Sequence, residues 1–234
     1  MGATGNDATE AQTADVFRKV HADDPCIVIP RVFHSLSTRR VLTTELIGGV
    51  DYASFCEHAP QSDRNAAGET LARFMFRALY RHGLMYADPH PGNYFALPGN
   101  VFAFIDYGMV GRLAPKDRLI LASFFISFTS QDSESAIGHL LRLADTREAV
   151  NQASFEHDVD DILHEWYGAK LKEVSLADTF YRIIDSGRKN RIYFPSSFAY
   201  LAKSLLTTET MGRSLDPGFD FAGLLKPYAQ SIVK

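Results

Sequence analysis

Apolar residues recur at helical spacing over most of this chain, and short unbroken apolar runs interrupt that rhythm in its first half. Glu10 to His21 reads as a short helix, closed by Asp23-Asp24-Pro25 because proline brings no N–H to the ladder. Two β-branched runs follow, Cys26–Pro30 and Arg40–Ile47; the second stops at Gly48-Gly49, and both read as strands. From Ser62 to about Arg81, the residues Ala67, Leu71, Phe74, Ala78 and Leu79 share one helical face, with Gly83 as the stop. Asn93–Leu97 and Val101–Ile105 are two more short runs, joined by the turn signal Pro98-Gly99-Asn100, so a hairpin is expected. Beyond it the pattern is helical near 115–130, 132–144, 154–167, 175–188, 196–211 and 220–233. Ser154, Ser175 and Ser196 are the expected N-caps, Gly168 and Gly212 the expected stops, and Ser175 with Asp178 makes a capping-box pattern.

Chemistry-bearing residues gather around the hairpin. Asp88-Pro89-His90-Pro91-Gly92-Asn93 precedes its first strand, and Asp106-Tyr107-Gly108 follows its second. This is the D-x-x-x-x-N and D-[FY]-G order of a kinase-type phosphotransfer site. Such transfer needs a carboxylate that orients or deprotonates the attacking group, and Mg²⁺ beside the phosphates needs hard oxygen ligands. In this reading Asp88 takes the first role with His90 beside it, and Asn93 and Asp106 are the metal ligands. His90 stands where many kinases aim a lysine at the γ-phosphate; a histidine that bonds the loop backbone is the alternative.

Upstream, Arg40 to Gly49 reads as a last strand running into a hinge. The backbone of Glu45 and Ile47 would then bond adenine, with Thr44 lining the back of the pocket; an ordinary strand with a glycine turn is the alternative. Between Gly108 and the helix opening near Pro115 there are too few residues for the segment on which protein kinases dock peptides. ATP hydrolysis, or transfer to a small or lipid-like acceptor, fits that spacing better than a protein substrate.

Composition narrows the partners. The 234 residues can bury one sizeable core, and a net charge of −4 gives no basic field for a phosphate backbone, so nucleic acid is not an expected partner. The longest apolar stretch, Leu119–Phe128, is about half of what a bilayer span requires. Met1–Asp15 lacks the charged start and apolar run of a secretory signal, and Asn6 stands where a myristoylation signal wants Ser or Thr. Cys26 and Cys56 suit a reducing cytoplasm and cannot form a four-ligand zinc site.

Taken together, the pattern resembles the ABC1/UbiB (ADCK-type, AarF) family of atypical kinases. The likeness is carried by Glu10-Ala11 with Phe17-Arg18, Ile29-Pro30-Arg31-Val32, Val41-Leu42-Thr43-Thr44-Glu45-Leu46, Ala87 to Asn93, and Ile105-Asp106-Tyr107-Gly108 with Gly111. The resemblance implies an α+β fold: a protein-kinase-like C-lobe, mostly helical with a small hairpin. Residues 1–50 would be an N-lobe remnant with the hinge, and 51–234 the helical lobe. It implies an Mg²⁺-ATP-dependent ATPase or phosphotransferase that supports isoprenoid quinone (ubiquinone) synthesis. Its cofactors would be Mg²⁺ and ATP; its partners would be lipid or quinone-pathway enzymes at the membrane surface, placing it in the cytoplasm or peripheral to a membrane. The family's K-x-G-Q motif, strand lysine and paired helix glutamate are expected before Glu10, and this chain does not contain them; before Asp88 its sole lysine is Lys19, in a helical pattern. A truncated form whose N-lobe is largely missing, or is supplied as a separate chain, is therefore expected. The alternatives are a non-catalytic kinase-like binding module and a small-molecule phosphotransferase; the latter type usually carries His where this chain has Tyr86.

Overall fold

A computed structural model of the protein describes residues 7–87, 90–145, 150–168 and 175–233. Helix α1 (Asp7–Val20) is followed by β1 (Ile27–Val28), an irregular stretch, β2 (Val50–Asp51), α2 (Tyr52–His58) and the long α3 (Gln61–His82). Next come β3 (Leu84–Tyr86), β4 (Tyr94–Leu97), β5 (Val101–Phe104) and β6 (Val110–Arg112). The remainder is helical: α4 (Pro115–Thr129), α5 (Ser133–Leu143), α6 (Gln152–Gly168), α7 (Leu176–Lys189), α8 (Ser196–Leu215) and α9 (Phe221–Val233). The fold is thus mixed α and β, mainly helical, with two small sheets.

The larger sheet has the order β1-β5-β4-β2, with β1 parallel to β5 and the other pairs antiparallel. The smaller pairs β3 with β6 in antiparallel register, Met85 opposite Gly111. Between β4 and β5 the expected turn forms, with Gly99 at φ 80° and Asn100 at φ 59°, the left-handed conformations a tight hairpin requires.

Helix α3 divides two cores. Ala67, Leu71, Phe74 and Ala78 face α1 and the sheet, while Ala72, Met75, Phe76, Leu79 and Tyr80 face the C-terminal helices. Leu79 therefore leaves the face assigned to it and joins the other core, because a helix sandwiched between two layers is apolar on both sides. Phe74 stacks on Phe104 at 3.7 Å between ring centroids, and Phe17 of α1 packs on Phe74, Tyr86 and Tyr107.

Several local expectations change. Arg40–Ile47 is extended but forms one bridge, Thr44 with Val32, instead of a strand; Val41 and Leu46 are exposed, so no second neighbour stabilises a ladder. Helix α2 and strands β2, β3 and β6 escape the pattern because each is too short to show a period. Helix α6 begins earlier than Ser154, whose N–H is accepted by Asn151 Oδ1. Pro195, not Ser196, occupies the N-cap of α8 and makes no side-chain bond there. Gly212 lies inside α8, where a Cβ would stand 2.2 Å from the Phe219 ring, so the glycine admits a close contact and ends nothing. Ser175 does cap α7, accepting the Asp178 N–H.

Candidate active site

Two loops leave and re-enter paired strands, and that topology makes them neighbours. The first, residues 87–93, connects β3 to β4; the second, 105–109, connects β5 to β6. Since β3 pairs with β6 and β4 with β5, each loop is clamped at both ends against the other. The clamp continues into the loops: Ala87 N–H donates to Met109 O at 3.0 Å and Ile105 N–H to Asn93 O at 3.1 Å. Gly111 permits this packing, because a Cβ there would lie 2.8 Å from Met85 Cε and 3.3 Å from Tyr200 Cβ on α8. Helix α3 delivers the chain to β3 by ending at Gly83, whose N–H caps the Leu79 carbonyl.

Asn93 closes a 3-10 turn, Pro91–Asn93, its N–H bonded to His90 O at 2.9 Å. His90 is exposed, and its Nδ1 accepts the Gly92 N–H at 3.1 Å. That bond leaves the neutral ring its proton on Nε2. Asp88 lies outside the described residues. Asp106 is half-buried, and its Oδ1 accepts the Gly108 N–H at 2.8 Å; Oδ2 has no bond among the described residues. The next residue, Tyr107, is buried, donates its hydroxyl to Phe104 O at 2.7 Å, and is held well above the usual phenol range by that burial and by Tyr86 and Asp106 beside it. It anchors the second loop to the core as a rigid pin.

Sequence reading missed Glu10 as a member of the site. Its Oε1 accepts the Tyr107 N–H at 3.2 Å, and its Oε2 lies 3.8 Å from where a Cβ on Gly108 would stand. The signal was there: Glu10, Ala14, Phe17 and His21 recur at spacings of four and three, so a carboxylate opens the buried stripe of α1.

Thr44, Glu45 and Ile47 sit apart from these loops, on the segment leading into β2, one strand beyond β4. The Glu45 N–H donates to Arg31 O at 2.8 Å, while the Glu45 carbonyl and the Ile47 N–H enter no backbone bond among the described residues. No group of three His, Cys, Asp or Glu side chains is placed to hold a metal ion among the described residues. No helix among them is long and apolar enough to cross a membrane.

Paired loops of this order, pinned between two ladders and approached by a helix glutamate, define a protein of kinase-like fold. The chain belongs to the ABC1 atypical kinase-like domain family, which matches residues 6–140, and the UbiB helical domain matches residues 159–220. A Synechocystis protein, slr0889, is 31% identical over 192 residues, 80% of this chain and 47% of that protein. A probable protein kinase UbiB of Histophilus somni is 25% identical over 227 residues, 95% of this chain and 42% of that protein. Among solved structures, the Rv3197–erythromycin complex of Mycobacterium tuberculosis shares the fold with a TM-score of 0.63 at 20% identity, over 98% of this chain and 58% of that one. The chain spans less than half the length of these two curated relatives.

Proposed function

We propose that the chain binds ATP with Mg²⁺ over the paired loops and acts as a UbiB-type ATPase or phosphotransferase that supports isoprenoid quinone synthesis. The observation that carries this reading is the direct link between the loops, Ile105 N–H to Asn93 O, which ties the backbone of Asn93 to the residue before Asp106. Mg²⁺ is commonly held by one or two carboxylates together with substrate phosphates, so a cluster of three charged ligands is not required. Asn93 and Asp106 fit that donor set, since Asp106 spends one oxygen on its own loop and keeps the other. Bound there, the cation would neutralise charge on the phosphates.

The chain's own groups then divide the remaining work. Asp88 orients the attacking hydroxyl or water and accepts its proton. His90, its Nδ1 occupied by Gly92, offers Nε2–H to a phosphate oxygen. The Glu45 carbonyl and Ile47 N–H supply one acceptor and one donor for the adenine edge, with Thr44 behind them. Glu10, whose carboxylate accepts the Tyr107 N–H of the second loop, is assigned in this reading the role of the helix glutamate that pairs with the phosphate-binding lysine in protein kinases. Lys19 is exposed on the last turn of α1 and takes no part in that pairing; residues 1–50 are the hinge side of this reading and 51–234 the helical lobe. The UbiB relative suggests a setting in ubiquinone synthesis; quinone-pathway enzymes or lipid at a membrane surface are the partners this reading would imply.

The test is calorimetric titration of ATP with and without Mg²⁺, on the wild type and on Asp106→Asn and Asn93→Ala. Mg²⁺-dependent binding that weakens by about tenfold or more in each variant is expected, the scale of one lost charge-assisted contact. Unchanged binding in both variants would refute the ligand assignment. Binding without any phosphate release would assign the chain to the non-catalytic kinase-like modules.

A further inference from the structure

A cavity lies far along the chain from the paired loops, where the C-terminal end of α4, the end of α6 and the first two turns of α9 meet. It has a volume of about 270 Å³ and is lined, among the described residues, by Thr129, Gln131, Trp166, Tyr167, Ala222 and Lys226 with Gly223. At about 30 Å³ for a water-sized group, that is room for roughly nine such groups. Its walls are mainly aromatic and aliphatic. Trp166 is 5% exposed and packs on Phe128 at 4.2 Å between centroids.

Two features of these walls are unexplained by folding alone. Trp166 Nε1–H and Tyr167 O–H are both buried without a hydrogen-bond partner among the described residues. Each such orphan carries a desolvation cost that an acceptor in the cavity would remove. Lys226 brings a cation to the same space and has no ion-pair partner among the described residues. Gln131 stands at φ 60° because it closes α4 in the left-handed cap conformation, its N–H on Phe128 O and the Asp132 N–H on Ser127 O. Asp132 and Asp160 lie within electrostatic reach of Tyr167, and one oxygen of Asp132 accepts the Ser135 N–H at the start of α5.

Every polar group named at the cavity except the Gln131 amide and the Thr129 hydroxyl is purely a donor or a hydroxyl able to donate, and one is a cation. We propose that this cavity binds a small amphipathic monoanion, a carboxylate with an apolar body of about eight carbons, its head group between Lys226 and the Trp166 and Tyr167 donors. A single lysine matches one negative charge, and the apolar walls match an aliphatic or aromatic tail. This site is separate from the phosphotransfer reading and stands whether or not that reading holds.

The chain's one tryptophan is Trp166, so its emission reports this cavity alone. Octanoate, titrated into the full chain, is expected to shift that emission saturably and to raise the thermal midpoint. Octan-1-ol, of equal length without the charge, is expected to bind about tenfold more weakly. Lys226→Gln is expected to weaken octanoate about tenfold and to leave octan-1-ol unchanged, both followed by tryptophan emission. Trp166→Phe keeps a ring in place but removes the N–H, and calorimetry should then show octanoate about fivefold weaker. No saturable shift, equal affinity for acid and alcohol, or a Lys226→Gln variant that binds octanoate like the wild type would each overturn the proposal.

Discussion

Replacing His21 by leucine should remove a specific part of the protein's acid sensitivity. His21 ends the buried stripe of α1, is 2% exposed, and lies stacked on Phe74 at 4.7 Å and on Phe17 at 6.1 Å. Neither ring nitrogen has a hydrogen-bond partner among the described residues. Burial, then the guanidinium of Arg77, lowers its pKa to about 3, with His82 adding to the depression and Asp24 and Asp23 opposing it. The folded protein therefore keeps the ring neutral, whereas the unfolded chain protonates it below about pH 6.5. Stability from this group is complete above that value and is lost as pH falls toward 3. At pH 5 the unfolded state gains about 2 kcal/mol from protonation that the folded state forgoes. Leucine has a similar volume and cannot titrate. Urea unfolding of both proteins at pH 7.5 and pH 5.0 checks the reasoning, because every other titrating group is common to the two. The wild type should lose about 2 kcal/mol more than His21→Leu between these pH values. Equal losses would show that the ring already carries its proton in the folded state, and the argument would fail.

Other substitutions probe the packing. Phe74→Ala, in the wall shared by α3 and the sheet, should cost about 3–5 kcal/mol in denaturant melts, and a change under about 0.5 would mean that the ring contributes little. Glu209 is buried in α8, accepts Ser175 Oγ and the Ala177 N–H at the start of α7, and pairs with Arg213; Glu209→Ala should cost about 2 kcal/mol or more, with the loss of α7 protection in hydrogen exchange as the signature. Gly212→Ala should destabilise by about 1–3 kcal/mol because its methyl group meets Phe219, while Gly138→Ala, on an exposed face of α5 with open space around it, should stabilise by up to about 1 kcal/mol. Thermal melts of the two glycine variants must therefore move in opposite directions.

The residues that announced themselves in the sequence were those whose chemistry or spacing is local. The six helices beyond the hairpin were legible because caps such as Ser175 and long amphipathic repeats mark them within a few residues. The order Asp88 to Asn93 and Asp106 to Gly108 was legible because a motif keeps its members close in sequence. Glu10 was not, since its partner Tyr107 is 97 residues away. Strands β3 and β6 are three residues each, too short for a period, yet they are what bring the loops together. Arg40–Ile47 had the β-branched composition of a strand without the second neighbour that would make one. Composition reports what a segment can do, and pairing depends on what arrives beside it.

The nesting of the ladders also sets an order of assembly. The turn between β4 and β5 closes a loop of only a few residues, and the β3–β6 ladder then encloses that hairpin, Tyr86 reaching Val110. The β1–β5 pairing, Ile27 with Phe102, and the Glu10–Tyr107 bond close far longer stretches of chain. Because the entropy lost on closing a loop rises with its length, the inner ladders are expected to form first and the contacts of α1 last. The paired loops would then be assembled as a local nucleus, and the arrival of the N-terminal helix would be the late kinetic step that sets Glu10 against them. Mutations in β4 or β5 should accordingly slow folding, whereas mutations along α1 should mainly speed unfolding.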